Sequence, residues 1–333
     1  MTRTGKRKLT RTNVKSVSSQ QPIEELFNVY IYAKEAEGLA KSTLTNKRYY
    51  FKVFNEFLQQ HEISLVEDVT TNVIRELISY LRNDYIKHKN NHCVKDEYKT
   101  KGVSVAYINS VLQHMRAFFN FLIDEEYTDG NPFTKIKQLK NTSEIESLSM
   151  EEMKLLLKQP NQRTYAGFRD YVMMFLLLDT GMRIGEAVNL KKEQIDFNSN
   201  LIHLKSADTK SRKTRYVPFS QKSNKLLREL ILETEEFIVE YVFTTVYGNV
   251  IDTGRFRQRL KKYGNDAGIH GKRVSPHTIR HTFAKYYLLN DGDVMTLQKI
   301  LGHSSLEKVR RYVQMTDSDI HKQHNKFSPI NKL

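Results

Sequence analysis

The sequence predicts a mainly α-helical protein of two domains, an N-terminal bundle of four helices followed by a mixed α/β domain with a small antiparallel sheet. Three observations lead there. Apolar residues recur at three- and four-residue intervals up to about residue 126, with no strand-like alternation. The only convincing strand signals, Leu201 to Leu204 and Arg215 to Phe219, stand close together across a basic, turn-prone stretch. The length of 333 residues suits two domains, each with a core of its own.

Residues 1–20 lack apolar periodicity and are expected to form a flexible arm. The first helix is marked by Ile23, Leu26, Phe27, Tyr30 and Ile31. Ser42 is the expected N-cap of the second, which buries Tyr50, Val53, Phe54, Phe57 and Leu58. A third is expected from Val73 to Ile86, then a polar loop over 87–102, then a long fourth helix from Ser104 to about Glu126. Asn131-Pro132 ends the bundle, because proline disfavours the helical conformation in the residue before it. The polar, lysine-dotted residues 133–148 are expected to be an exposed linker. Ser149-x-x-Glu152 matches a capping box and opens the second domain. An apolar helix from Phe168 to Leu178 follows and stops at Asp179-Thr-Gly181, and a later helix is expected to begin near Pro276.

Charge narrows the function. There are 53 Lys and Arg against 38 Asp and Glu, a formal net charge of +15, and residues 1–20 hold six basic residues and no acidic one. That balance points to a polyanionic partner and favours nucleic acid over an acidic small substrate. The single cysteine, Cys93, excludes an internal disulfide and a thiolate metal cluster. No apolar stretch reads as a signal peptide or a membrane span, so a cytoplasmic location is expected.

The chemistry-bearing residues are Arg183, Lys210, His277, Arg280, His281, His303 and Tyr312. A phosphodiester can be cut without a metal if cations hold its nonbridging oxygens, an acid protonates the leaving oxygen and a side chain attacks phosphorus. Guanidinium suits the first task through its planar, permanently charged fork. Tyrosine suits the last because its aryl phosphoester keeps the bond energy for religation. His277, Arg280 and His281 lie at i, i+3 and i+4 and share one helix face. No Asp/Glu cluster of metal-ligand type accompanies them, so neither a metal nor another cofactor is expected.

Three segments, Asp179-Thr-Gly-Met-Arg183-Ile-Gly-Glu186-Ala, His277-Thr-Ile-Arg280-His281-Thr-Phe-Ala284 and Leu301-Gly-His303-Ser-Ser with Tyr312 nine residues beyond His303, resemble the signatures of the tyrosine site-specific recombinases. This is the integrase family of phages, mobile elements and Xer-type resolvases. The resemblance implies catalytic roles for Arg183, His277, Arg280 and His303 at the phosphate, with Tyr312 as nucleophile and Glu186 and His281 in support. It also implies that Lys210 is the general acid, since the family's lysine stands on a strand turn eight residues before a proline, as Lys210 stands before Pro218. It implies a core-binding domain over 21–132 and a catalytic domain over 149–320. A tail over 321–333 would pack on a neighbouring protomer through Phe327, Pro329 and Ile330. Specific DNA sites, four protomers on DNA and an accessory directionality factor belong to the same implication, as does a role in integration or excision of a mobile element.

Further DNA contacts are expected from Ser42, Thr43, Thr45, Asn46, Lys47 and Arg48 at a helix start, from Arg212, Lys213 and Arg215 on the hairpin, and from Arg255, Arg257, Arg259, Lys261 and Lys262 near another helix start. Three alternatives stay open at this point: a type IB topoisomerase-like nicking and closing enzyme, a non-catalytic DNA-binding protein on the same fold, and a metal-dependent nuclease.

Overall fold

The structure is a computed structural model that describes residues 21–87, 89, 92, 95–140, 146–206, 214–235, 239–302, 305, 309, 321 and 324–332. The chain divides into two compact units, residues 1–143 and 144–333.

The first unit is the expected four-helix bundle: α1 (Ile23–Ala36), α2 (Lys41–Gln60), α3 (Thr71–Asn83) and α4 (Val105–Asp124). Its core is aromatic. Phe27 and Phe51 stack at 3.7 Å between ring centroids, and Phe118 meets both edge-on. Two expectations at helix ends are corrected. The N-cap of α2 is Ala40, which offers no side-chain bond, so Ser42 lies inside the first turn. Helix α3 ends at Asn83, and Ile86 instead bridges to Lys101 across the loop.

The stretch after Asn131-Pro132 is also corrected. Phe133 is wholly buried against Phe54 and Phe119, and Ile136 joins the same core. Arg116 of α4 donates to the carbonyls of Phe133 and Ile136, and Asn109 exchanges two hydrogen bonds of 2.9 Å with the backbone of Leu139. Residues 133–139 thus belong to the first unit. Polar composition suggested a linker because Asn109 and Arg116, the partners of this backbone, are more than a turn away on another element.

The second unit starts with Leu148 buried and with the expected capping box. Ser149 N–H donates to Glu152 Oε2 at 2.6 Å and Glu152 N–H to Ser149 Oγ at 3.1 Å, opening α5 (Met150–Leu157). Helix α6 (Tyr165–Thr180) runs through the core and is followed by the short α7 (Ile184–Val188). The sheet has the expected strands β2 (Leu201–Leu204) and β3 (Arg215–Pro218), paired antiparallel with Ile202 opposite Val217 and Leu204 opposite Arg215. A two-residue strand, β1 (Ile195–Asp196), completes it, too short to show alternation in sequence. Then come α8 (Gln221–Leu232), α9 (Thr253–Asp266), α10 (Pro276–Leu289) and α11 (Val294–Leu301). Among the described residues no helix is long and apolar enough to cross a membrane.

Candidate active site

The site is assembled from two chain turns. Gly181 closes α6 in the left-handed region, at φ 61°, and its carbonyl accepts from Arg280 Nη1 at 2.7 Å. A Cβ there would lie 2.3 Å from Phe283 Cδ1 and 2.8 Å from Leu301 Cδ2, so only glycine lets α10 and α11 approach this closely. Two residues on, Arg183 is the extended N-cap of α7. Glu186 stands three residues later, where a first-turn carboxylate reaches back, and it accepts from the Arg183 N–H at 2.9 Å and from its Nη1 at 3.0 Å.

Glu186 is buried, and its second partner is Arg215. The Arg215 fork donates Nη1 to Oε1 at 3.0 Å and Nη2 to Oε2 at 2.7 Å. Burial by itself would raise the Glu186 carboxyl; the hydrogen bonds and charge of Arg215, helped by the N–H and guanidinium of Arg183, overcome it and hold the group below the usual carboxylate range. Glu186 is therefore a permanent anion at working pH. The expectation that Arg215 touches DNA is corrected here: its side chain is 8% exposed and turned onto Glu186. Strand alternation explains it, because Arg215 shares its inward face with Val217.

The described arginines of the site converge on the end of α11. Arg215 Nε donates to Ile300 O at 2.9 Å, Arg280 Nη2 to Leu301 O at 2.8 Å and Arg183 Nη2 to Gly302 O at 3.3 Å. These are consecutive carbonyls at a helix C-terminus, where the helix presents unsatisfied acceptors and partial negative charge. Gly302 turns the chain left-handed, at φ 63°, immediately before His303. Arg183 remains 23% exposed, enough for its guanidinium to meet a ligand, whereas Arg280 is 4% exposed.

Helix α10 starts as expected, with Pro276 in its first turn and Ser275 as N-cap, bonded to Thr278 N–H. His277 is exposed on that first turn. His281 is partly buried, and its pKa is pushed down to about 4 by desolvation and then by the charges of His277 and Arg280. At neutral pH it is an uncharged donor and acceptor, so any support it gives is by hydrogen bonding. The expectations for Lys210, His303 and Tyr312, and for Arg212 and Lys213, lie outside the described residues, as does the arm over 1–20.

The expected DNA-contacting groups divide. Ser42, Thr43, Thr45, Asn46 and Arg48 are exposed on α2, but Lys47 donates to the Tyr30 hydroxyl and lies over its ring. Burial lowers the Lys47 pKa. On α9, Arg255, Arg257, Lys261 and Lys262 are exposed. Arg259 is half-buried, with its Nε 2.5 Å and Nη2 3.1 Å from the carboxylate of the wholly buried Asp170, which also holds Arg169 and Tyr263. In the tail, Phe327 and Ile330 are exposed large apolar residues. In the sequence, strand parity is the signal that Arg215 is a structural partner, and nothing in the spacing signals Asp170.

Comparison with known proteins gives the family of the chain. Residues 146–319 match the model of the phage integrase family, and residues 24–139 match the phage integrase SAM-like domain. The tyrosine recombinase XerD of Staphylococcus aureus is 26% identical over 315 residues, covering 92% of this chain and 99% of the relative. Among solved structures, the Tn1549 transposon integrase in complex with transposon right end DNA aligns with a TM-score of 0.69 at 19% identity, over 92% of this chain and all of that one. A lambda integrase tetramer bound to a Holliday junction aligns with a TM-score of 0.67 at 17% identity, over 91% of this chain and 83% of that one.

Proposed function

The chain belongs to the phage integrase family as a site-specific tyrosine recombinase that cleaves and rejoins DNA, and we propose that Arg183, Lys210, His277, Arg280, His303 and Tyr312 carry its chemistry. The observation that supports this reading best is the convergence of Arg183 and Arg280 on the carbonyls that directly precede His303. Two cations are thereby held at the end of α11.

In this reading the Tyr312 oxygen attacks the scissile phosphorus, and His277 assists removal of the phenolic proton. The bond from phosphorus to the 5′ oxygen breaks, Lys210 protonates that oxygen, and the DNA is left on Tyr312 as a 3′-phosphotyrosine. Arg183, Arg280 and His303 hold the pentavalent phosphate. A 5′ hydroxyl from another strand then reverses the step. No nucleotide enters the balance, because the ester bond is exchanged at each stage.

The exposed groups on α2 and on α9 are the proposed DNA contacts beyond the site. Exchange between two duplexes needs two breaks in each, hence four protomers, and the likeness to a lambda integrase tetramer on a Holliday junction supports that count. The tail with Phe327 and Ile330 exposed would pack on the neighbouring protomer. A directionality factor would act on this assembly. The proposed setting is integration or excision of a mobile element, in line with the architecture shared with the Tn1549 transposon integrase. Covalent capture of genomic DNA, followed by sequencing of the trapped fragments, tests this. Short sites at the ends or junction of a mobile element are expected. Capture of one fixed chromosomal site with no element beside it would replace that setting by chromosome resolution, and relaxation of plasmids without strand exchange would favour a topoisomerase.

The general acid has its own test. Lys210→Ala should cleave an ordinary 5′ leaving group on the order of 1,000-fold more slowly, within the range for loss of a positioned acid. A bridging 5′-phosphorothiolate, whose sulfur leaves without protonation, should restore most of the rate, and Lys213→Ala should show no such rescue. The reverse pattern would move the role to Lys213.

A further inference from the structure

Arg183 reaches the end of α11 through Nη2 and Glu186 through Nη1, while Arg280 reaches that helix end through Nη2 and the end of α6 through Nη1; in the reading above both also meet the scissile phosphate. Arg215 reaches the same helix end and is closed off from solvent. We propose that Arg215 is a positioning residue for strand cleavage: it locks Glu186, and through Glu186 the Arg183 guanidinium, to the end of α11. The proposal rests on the assignment of Arg183 to the phosphate and assigns Arg215 a role that its basic hairpin sequence does not suggest.

The bonding pattern carries it. Each oxygen of Glu186 accepts one bond from Arg215 and one from Arg183: Oε1 from Arg215 Nη1 and Arg183 Nη1, Oε2 from Arg215 Nη2 and the Arg183 N–H. The carboxylate plane is thus set by the Arg215 fork, and the Arg183 head group is set by the carboxylate. The remaining edge of Arg215 is tied to Ile300 O, and Gly302 lies so close that a Cβ would sit 3.1 Å from the Arg215 Nε. Arg215 is also the first residue of β3, five positions after Lys210, so the same side chain anchors the base of the hairpin. Three separate pieces of the site, the head of α7, the start of β3 and the chain leading into His303, are joined at one guanidinium. A lysine in its place would bring charge at one point and could not set a plane.

The experiment measures single-turnover cleavage of a nicked suicide duplex by the full chain at saturating protein, with DNA affinity measured separately. The variants are Arg215→Gln, Arg215→Lys, Glu186→Gln and the double variant Arg215→Gln/Glu186→Gln. Arg215→Gln should bind DNA within about threefold of the parent yet cleave about 100-fold more slowly, the scale expected when a reacting group is misplaced by about an ångström. Arg215→Lys should fall between. The double variant should lose no more than the worse single one, since both act on the same guanidinium.

A pH profile separates positioning from mere structural support. Among the described residues the charged groups that face Glu186 are Arg183 from α7 and Arg215 from β3, while α11 contributes the carbonyls of Ile300 to Arg215 and of Gly302 to Arg183. Arg280, His277 and His281 of α10 are common to parent and variants. Without Arg215, Glu186 keeps its burial and loses its main stabilising partner, so it protonates at higher pH. The acid limb of cleavage should move upward in Arg215→Gln, and the added Glu186→Gln should remove that movement. Additive losses, an unmoved limb, or equal losses in binding and cleavage would overturn the proposal. If Arg215→Gln does not fold, as a thermal melt would show, Arg215→Lys decides: a parental cleavage rate, or failure of this variant to fold as well, leaves Arg215 as a fold determinant only. Arg183→Ala is the control, because parental cleavage by it would sink the assignment of Arg183 itself, whereas an inert Arg183→Ala beside fully active Arg215 variants would sink only the role of Arg215.

Discussion

Tyr312→Phe should bind its DNA site as the parent does and form no covalent adduct with it. The substitution removes one oxygen and almost no volume, so the surfaces that grip DNA persist while the atom that would bond to phosphorus is gone. A nicked suicide substrate, from which the freed strand diffuses away, makes the adduct irreversible in the parent and visible on a denaturing gel. No other nucleophile is expected to take over, since water lacks the positioning that the site supplies. An undiminished adduct in Tyr312→Phe would remove Tyr312 from the mechanism and send the search to the other 17 of the 18 tyrosines.

The second large effect separates the two arginines. Each should lose cleavage by about 100- to 1,000-fold when replaced by alanine, the range for deleting one donor to a developing oxyanion. Their effects on stability should differ. Arg280 is 4% exposed and bonds Gly181 O and Leu301 O, tying the end of α6 to the end of α11. Its removal leaves two buried carbonyls short of donors, at about 1–3 kcal/mol each, so Arg280→Ala should melt several degrees lower. Arg183 is more exposed and its loss spares the pair between Glu186 and Arg215. Arg183→Ala should therefore lose cleavage with little change in melting temperature. Single-turnover rates, DNA affinities and thermal melts on the two variants check this together. Equal loss of binding and cleavage in both would reduce these arginines to backbone anchors.

Local periodicity and residue type settle several elements of this protein. Four amphipathic helices, the Ser149 capping box, the glycine stop at Gly181 and the start of α10 at Pro276 were legible, because each is decided within one or two turns of chain. The two strands were legible for the same reason, and so was the grouping of His277, Arg280 and His281 on one helix face. The tertiary structure decided which basic side chains are available. Arg215 and Arg259 read as DNA contacts in sequence; Arg215 is turned onto Glu186, 29 residues away, whereas Arg259 bonds Asp170, 89 residues away, and stays 34% exposed. It likewise decided that residues 133–139 belong to the first unit, since Phe133 finds its aromatic partners on α2 and α4. The physical reason is common to all three. A charge or a ring is satisfied by whatever the fold brings near it, and partners that meet across the chain leave no periodic trace along it.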